Sequence, residues 1–230
     1  MSRETDRSCY NLAVAEIQTA PPTDRRRLRG DRTRQAILSH SARLASAEGL
    51  EAVSLQRLAT DLGISKSGLF AHFGSKEELQ LATVEEASRV FTEEVLRPGL
   101  KAPAGLGRLW AMSNSFLSYL ERGVFPGGCF FEAAVAEFDS RPGPVRDAVV
   151  ERRGYWAKSL ARAARDAQAA GELREDVDPE QLAWELNCLL VGANGTFVID
   201  GDSVVFDRAR RAIRERLERV ATPSAVPLQS

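Results

Sequence analysis

The 230-residue chain predicts an all-α fold. Three observations carry that expectation. Apolar residues recur every three or four positions along most of the chain, the spacing that gathers them on one helix face. Glycine and proline interrupt these runs at Gly49, Gly63, Pro98-Gly99, Pro126-Gly127-Gly128, Pro142-Gly143-Pro144, Gly171 and Gly201. Capping residues stand just ahead of several runs, as at Ser65, Ser75 and Asp178.

Residues 1–24 are mixed in character and end in Thr19-Ala20-Pro21-Pro22, which predicts a disordered arm. A first helix is expected over about residues 31–48, with Ile37, Leu38, Ala42, Leu44 and Ala45 facing a small core and Gly49 ending it. The stretch from Ser54 to Lys76 then reads as helix, tight turn, short second helix. Leu55, Leu58, Ala59 and Leu62 recur at helical spacing, and Gly63 supplies a turn residue that adopts a left-handed backbone cheaply. Ile64 plugs the turn, Ser65 caps the next helix, and Leu69 and Phe73 fall on its inner face.

Ser75 caps a fourth helix whose first turn holds Glu77 and Glu78, as the helix dipole prefers. It is expected to run to about Leu96 and to break at Pro98-Gly99. Further helices are expected over about 105–121, 129–138 and 144–170. The last of these carries Val145, Val149, Trp156, Leu160, Ala163 and Ala167 on one stripe. Asp178-Pro179-Glu180 opens an eighth helix in the order cap, proline, acid. It reaches about residue 199, and Asp200-Gly201-Asp202 turns the chain into a ninth over about 203–221. Thr222 to Ser230 are expected to fray.

The segment from Ser54 to Lys76 has the form of a helix-turn-helix, which sets its second helix into the DNA major groove. Lys66, Ser67, Gly68, Phe70 and His72 occupy the outer face of that second helix. They are the groups that suit close approach to phosphates and base edges. Charge points the same way. From Arg25 to Lys76 there are ten Lys or Arg and four Asp or Glu, whereas the whole chain carries a net charge of -1. A basic block on an acidic body is what sequence-independent DNA affinity requires. Arg25-Arg26-Arg27-Leu28-Arg29 would either extend the arm along DNA or form a plain flexible tail.

Other function classes find little support. The two histidines, His40 and His72, lie in the basic segment, and no GxSxG, HExxH or zinc-ligand spacing occurs. Neither catalysis, a cofactor nor a metal is expected. Cys9, Cys129 and Cys188 are far apart and form no CxxC pattern, which suits a reducing cytosol. Residues 1–24 lack the apolar centre of a signal peptide. No run is expected to approach the roughly 20 apolar residues that span a bilayer. A cytoplasmic protein without a membrane partner is the expectation.

The chain resembles the TetR family of bacterial transcription regulators over roughly Thr33 to Leu81. The resemblance lies in Arg34-Gln35-Ala36-Ile37-Leu38, Ala42, Leu44, Gly49, Ser54, Leu58-Ala59, Leu62-Gly63-Ile64-Ser65, Gly68-Leu69-Phe70, Phe73 and Lys76-Glu77-Glu78-Leu79. One departure is Phe70, where the family usually carries a tyrosine whose hydroxyl donates to a phosphate. Losing one such bond costs about 0.5–1.5 kcal/mol.

The resemblance implies an N-terminal helix-turn-helix DNA-binding domain and a C-terminal helical effector-binding and dimerisation domain. The divisions expected are a 1–24 arm, a 25–80 DNA-binding domain, an 81–222 second domain and a 223–230 flexible tail. Expected DNA-binding residues are Ser54, Gln56, Arg57, Ser65, Lys66, Ser67, Gly68, Phe70, His72 and Lys76. Lys76 would meet a phosphate, and Gln56, Lys66 and His72 would meet base edges. An apolar effector is expected near Trp110, Asn114, Phe131, Trp156 and Asn187. The eighth helix is apolar nearly all round, so it needs cover on several sides. A homodimer is therefore expected through Leu186, Leu189, Ala193, Phe206, Ile213 and Leu217, in a four-helix bundle. The resulting reading is a regulator, chiefly a repressor, released from a palindromic operator by a small molecule. The alternatives are a ligand-independent DNA-binding protein or activator, and an all-helical small-molecule binder or enzyme.

Overall fold

The computed structural model describes residues 25–228. The expected arm over 1–24, with Cys9, lies outside the described residues, as do Gln229 and Ser230. Helix α1 (Arg25–Glu48) begins at the arginine run rather than near residue 31, so that run is neither arm nor tail. Arginine is a good helix former, and charge alone does not break a helix. Next come α2 (Leu55–Leu62) and α3 (Lys66–Phe70). The left-handed Gly63, at φ 63°, joins them. Ile37, Ala42, Leu58, Leu69, Phe73 and Leu79 close the small core between them and the start of α4.

Helix α4 (Lys76–Phe91) does not end at Pro98-Gly99. It passes through a π-helical turn (Thr92–Leu96) into a last α-helical turn (Arg97–Leu100). The amide of Arg97 donates to the Thr92 carbonyl, a bond that spans one residue more than the α-helical one. Pro98 thereby stands in the first positions of the last turn, where a missing N–H costs least. Gly99 is buried against Met112, so the break signal is a packing contact.

The remaining elements are α5 (Leu106–Glu121), α6 (Phe130–Phe138), α7 (Pro144–Ala169), α8 (Pro179–Asp200) and α9 (Val204–Val220). They pack around α4 and its extension, with α7 against both α4 and α8, and α9 against α5 and α8. Phe91 forms the hub of the larger core. It meets Phe116, Tyr119, Phe131 and Trp156 edge-on at centroid distances of 6.0, 5.8, 6.1 and 5.4 Å. Such geometry adds about 0.5–1.5 kcal/mol per pair beyond burial.

Two further expectations are corrected. The segment after α9 does not fray as far as Leu228. Thr222 donates from its amide to the Glu172 carbonyl at 2.8 Å, and Arg214 donates to the Leu228 carbonyl at 3.2 Å. Helix α8 is also long and apolar enough, by length and composition, to cross a membrane. The core helix of a packed bundle passes the same test, and Leu182, Leu186 and Leu190 of α8 are buried within this bundle.

Candidate nucleic-acid interface and interior cavity

The outer surface of the helix-turn-helix is set by capping bonds. Ser54 accepts from the Arg57 amide at 3.2 Å and Ser65 from the Gly68 amide at 3.1 Å. Each cap satisfies a donor that the first helical turn leaves unpaired. Gln56, Arg57, Ser65, Lys66, Ser67 and Phe70 are exposed on one end of the molecule. Phe70 remains 43% exposed, unusual for a large apolar ring, with Lys66 6.0 Å above its centroid. Helix α3 ends at Phe70, so His72 stands in the turn that follows it, not on the helix.

Several of these cations already have partners. Arg57 bridges Glu48 at 3.3 Å and Asp61 at 3.0 Å. Lys76 bridges Glu51 at 2.5 Å. The Lys76 bond, aided by Gln80, holds the Glu51 carboxyl below the usual carboxylate range. His40 and then Arg57 do the same for Asp61. Surface pairs of this kind are worth about 0–1 kcal/mol, so a phosphate can displace the carboxylates cheaply.

A second set of contacts ties this end to the rest of the protein. The Glu137 carboxylate of α6 accepts from the amides of Leu50 and Glu51 at 2.6 and 2.9 Å. Gly127 approaches α1 so closely that a Cβ there would collide with the Ser46 carbonyl. Arg43 donates to the Val124 carbonyl at 2.9 Å. On its other side, the same loop meets α8, where Asn194 accepts from the Cys129 amide at 2.8 Å. Burial pushes the Cys129 thiol up to about 12, so it stays protonated at neutral pH and gives no basis for a redox role.

Between α4, its π-helical turn and α7 lies a cavity of about 470 Å³. Its apolar side is formed by Phe91, Leu96, Leu100, Phe131 and Trp156. Two of the five residues expected here, Phe131 and Trp156, line it. Trp110 instead packs beneath Arg214, whose guanidinium sits 4.4 Å from the ring centroid. Asn114 accepts from Arg210 at 2.9 Å, near α9. Asn187 accepts from the Trp156 indole N–H at 2.9 Å and so orients a lining residue from behind. The charged lining departs from the sequence expectation: Arg89, Arg97, Arg152, Lys158, Arg162 and Arg165, against Glu85 and Glu93. The spacing of Lys158, Arg162 and Arg165 places them on one face of α7, a signal present in the sequence.

The expected dimer contacts require correction. Leu186, Ala193, Phe206, Ile213 and Leu217 are buried inside the chain, and Leu189 is partly buried. An all-apolar helix does not reveal which of its faces the chain itself covers. The uncovered face of α8 carries Trp184, 62% exposed, then Cys188, Gly192, Val198 and Ile199.

Comparison with known proteins agrees with this architecture. The family model described as "Bacterial regulatory proteins, tetR family" matches residues 37–83. The one described as "Tetracyclin repressor-like, C-terminal domain" matches residues 105–213. Together they take in more than half of the chain. The HTH-type transcriptional repressor AcnR of Corynebacterium jeikeium is 27% identical over 188 residues, 77% of this chain and 90% of that protein. A TetR transcriptional regulator from Chloroflexus aurantiacus superposes with a TM-score of 0.78 at 23% identity, over 84% of this chain and 98% of that one. AibR, solved in complex with isovaleryl coenzyme A and operator DNA, has a TM-score of 0.64 at 24% identity, over 78% and 97% of the two chains. The matched families are transcription regulators and not enzymes. The chain belongs to the TetR family of bacterial, DNA-binding transcriptional regulators.

Proposed function

We propose that the protein is a homodimeric repressor that a small-molecule effector releases from a palindromic operator. One observation carries the reading. Helix α4 holds Lys76 at its first turn, beside the helix-turn-helix, and its π-helical extension walls the cavity at its other end. A ligand that shifts the extension must move the element that seats α1–α3. The likeness to AcnR, a repressor, supports the sign of regulation. AibR, whose fold is shared, was captured with both isovaleryl coenzyme A and operator DNA.

In this reading residues 25–80 form the DNA-binding unit, and residues from 81 onward form the effector and dimer unit. Lys76 exchanges Glu51 for a phosphate, a contact that positions without specifying. Gln56 and Lys66 reach base edges in the major groove, with His72 at the rim. Ser54, Arg57, Ser65, Ser67, Gly68 and Phe70 complete the surface. Two copies joined through the open face of α8 and the neighbouring side of α9 would hold two recognition helices at a fixed spacing.

Mobility shifts and footprints on DNA upstream of the protein's own gene test the reading. One protected palindrome, with half-sites about one helical turn apart, is expected. Uniform binding to unrelated duplexes of equal length would overturn it.

A further inference from the structure

We propose that the effector is an organic anion: an apolar chain or ring that ends in a carboxylate or phosphate. This rests on the reading that the cavity between α4 and α7 is the effector site. Its lining joins two unlike surfaces. Phe91, Phe131 and Trp156, with Leu96 and Leu100, offer an apolar bed, and the three aromatic residues are almost wholly buried. Six cations but only two carboxylates share the lining with them.

Local ion pairs engage four of the six cations. Arg97 pairs with Glu93 at 3.0 Å and Arg152 with Glu85 at 2.8 Å, which uses both lining carboxylates. Arg89 is committed to the buried Glu86 at 2.7 Å, and Arg165 to Glu180 outside the cavity. Lys158 has no carboxylate within salt-bridge reach among the described residues. It stands one helical turn from Arg162 on α7.

The cations also come from both walls. Arg97 projects from the extension of α4, and Arg152, Lys158 and Arg162 from α7. An anionic head would therefore draw the two walls together while its apolar body fills the aromatic bed. The Arg97 and Arg152 pairs are partly exposed to solvent, so exchanging their carboxylates for a ligand's costs little. A cavity of about 470 Å³ is of the size that holds small organic ligands. The charged head distinguishes this effector from the largely apolar compound that the aromatic residues predict.

Four eight-carbon probes, octanoate, octyl phosphate, 1-octanol and octyltrimethylammonium, test the proposal by calorimetric titration of the full chain. At least one anion is expected to bind tenfold or more tightly than 1-octanol, and the ammonium probe more weakly still. The ratio of octanoate to octyl phosphate affinity tells a carboxylate head from a phosphate head. Lys158→Glu, a change at an exposed position, is expected to weaken the anion at least fivefold, with 1-octanol affinity and thermal melting unchanged. Lys158→Ala gives the same direction with a smaller loss.

Equal affinity for octanoate, octyl phosphate and octanol overturns the proposal. So does preferred binding of the ammonium probe, or an anion affinity that Lys158→Glu leaves intact. A parallel mobility shift separates the two layers. Operator release by octyltrimethylammonium or octanol alone refutes the anionic class and leaves the ligand-responsive regulator standing. A protein that binds its operator but none of the four probes refutes the cavity reading together with the proposal.

Discussion

The helix-turn-helix end and the cavity end of the molecule are stabilised by different means. At the first, three helices enclose a core of small and branched aliphatic residues with the single ring of Phe73, and serine caps set where α2, α3 and α4 begin. At the second, long helices surround linked aromatic rings, and the wall of the cavity contains a π-helical turn. Local bonds suit a surface that must present fixed groups to DNA. A π turn at a cavity wall suits a functional region, where such single-turn bulges in α-helices are frequent. On the proposed reading, recognition and response are separated along α4, with Glu137, Gly127 and Arg43 also joining the two ends.

The largest effect should come from telling burial within one chain from burial between chains. Ile213→Asp places an unpaired charge in the core of the second region. It is expected to cost about 4–5 kcal/mol or more and to abolish cooperative unfolding in denaturant titrations. Trp184→Glu, on the uncovered face of α8, is expected to leave helical content intact and yield monomers by sedimentation, with operator binding lost. A Trp184→Glu protein that remains dimeric would place the interface elsewhere.

Next in size is the aromatic hub. Phe91→Ala is expected to cost about 3–5 kcal/mol in global stability, since four rings lose their common partner. Ser65→Ala, by contrast, removes one cap, at about 0.5–2 kcal/mol. It is expected to weaken operator binding with little change in effector affinity by titration. If the cap variant alters both affinities equally, the two ends are not energetically distinct.

The smallest effect concerns Glu51. Its carboxyl titrates below the usual range because Lys76 donates to it. The stabilisation is therefore complete above the ordinary carboxylate pKa and is lost as pH falls through the lowered value. Both side chains are more than one third exposed, so screening keeps the contribution below about 1 kcal/mol. Glu51→Gln is expected to flatten the acid limb of a stability–pH curve below about pH 4. The same change frees Lys76 and should tighten DNA binding modestly at neutral pH. Unchanged affinity in an anisotropy titration would remove Lys76 from the phosphate contacts.

These regions also differ in how much the residue pattern discloses. Caps and glycines are local signals, so the positions of α2, α3 and the start of α4 were legible from Ser65, Ser75 and Gly63. The start of α1 was not, because arginines neither cap a helix nor mark its inner face. The passage of the α4 extension through Pro98-Gly99 depends on a π turn and on Met112, which are tertiary facts. In the cavity, Trp110 and Trp156 look alike in sequence, and only packing sends one beneath Arg214 and the other to the cavity. Five of the six residues expected at the dimer interface lie inside the chain for a related reason. Apolar spacing marks a face as buried without saying whether the cover comes from the same chain.

The account's central claim is that α4 couples the cavity to the DNA-binding end. Coupling of this kind is reciprocal: the factor by which an effector weakens operator binding must equal the factor by which operator weakens effector binding. Titrating octanoate or octyl phosphate into the protein while following tryptophan emission, with and without saturating operator, measures it directly. Trp156 lines the cavity and reports the binding. The account predicts a weaker affinity in the presence of operator, by about 5–150-fold for typical coupling of 1–3 kcal/mol. Equal affinities in the two titrations, for a probe that does occupy the cavity, would contradict it.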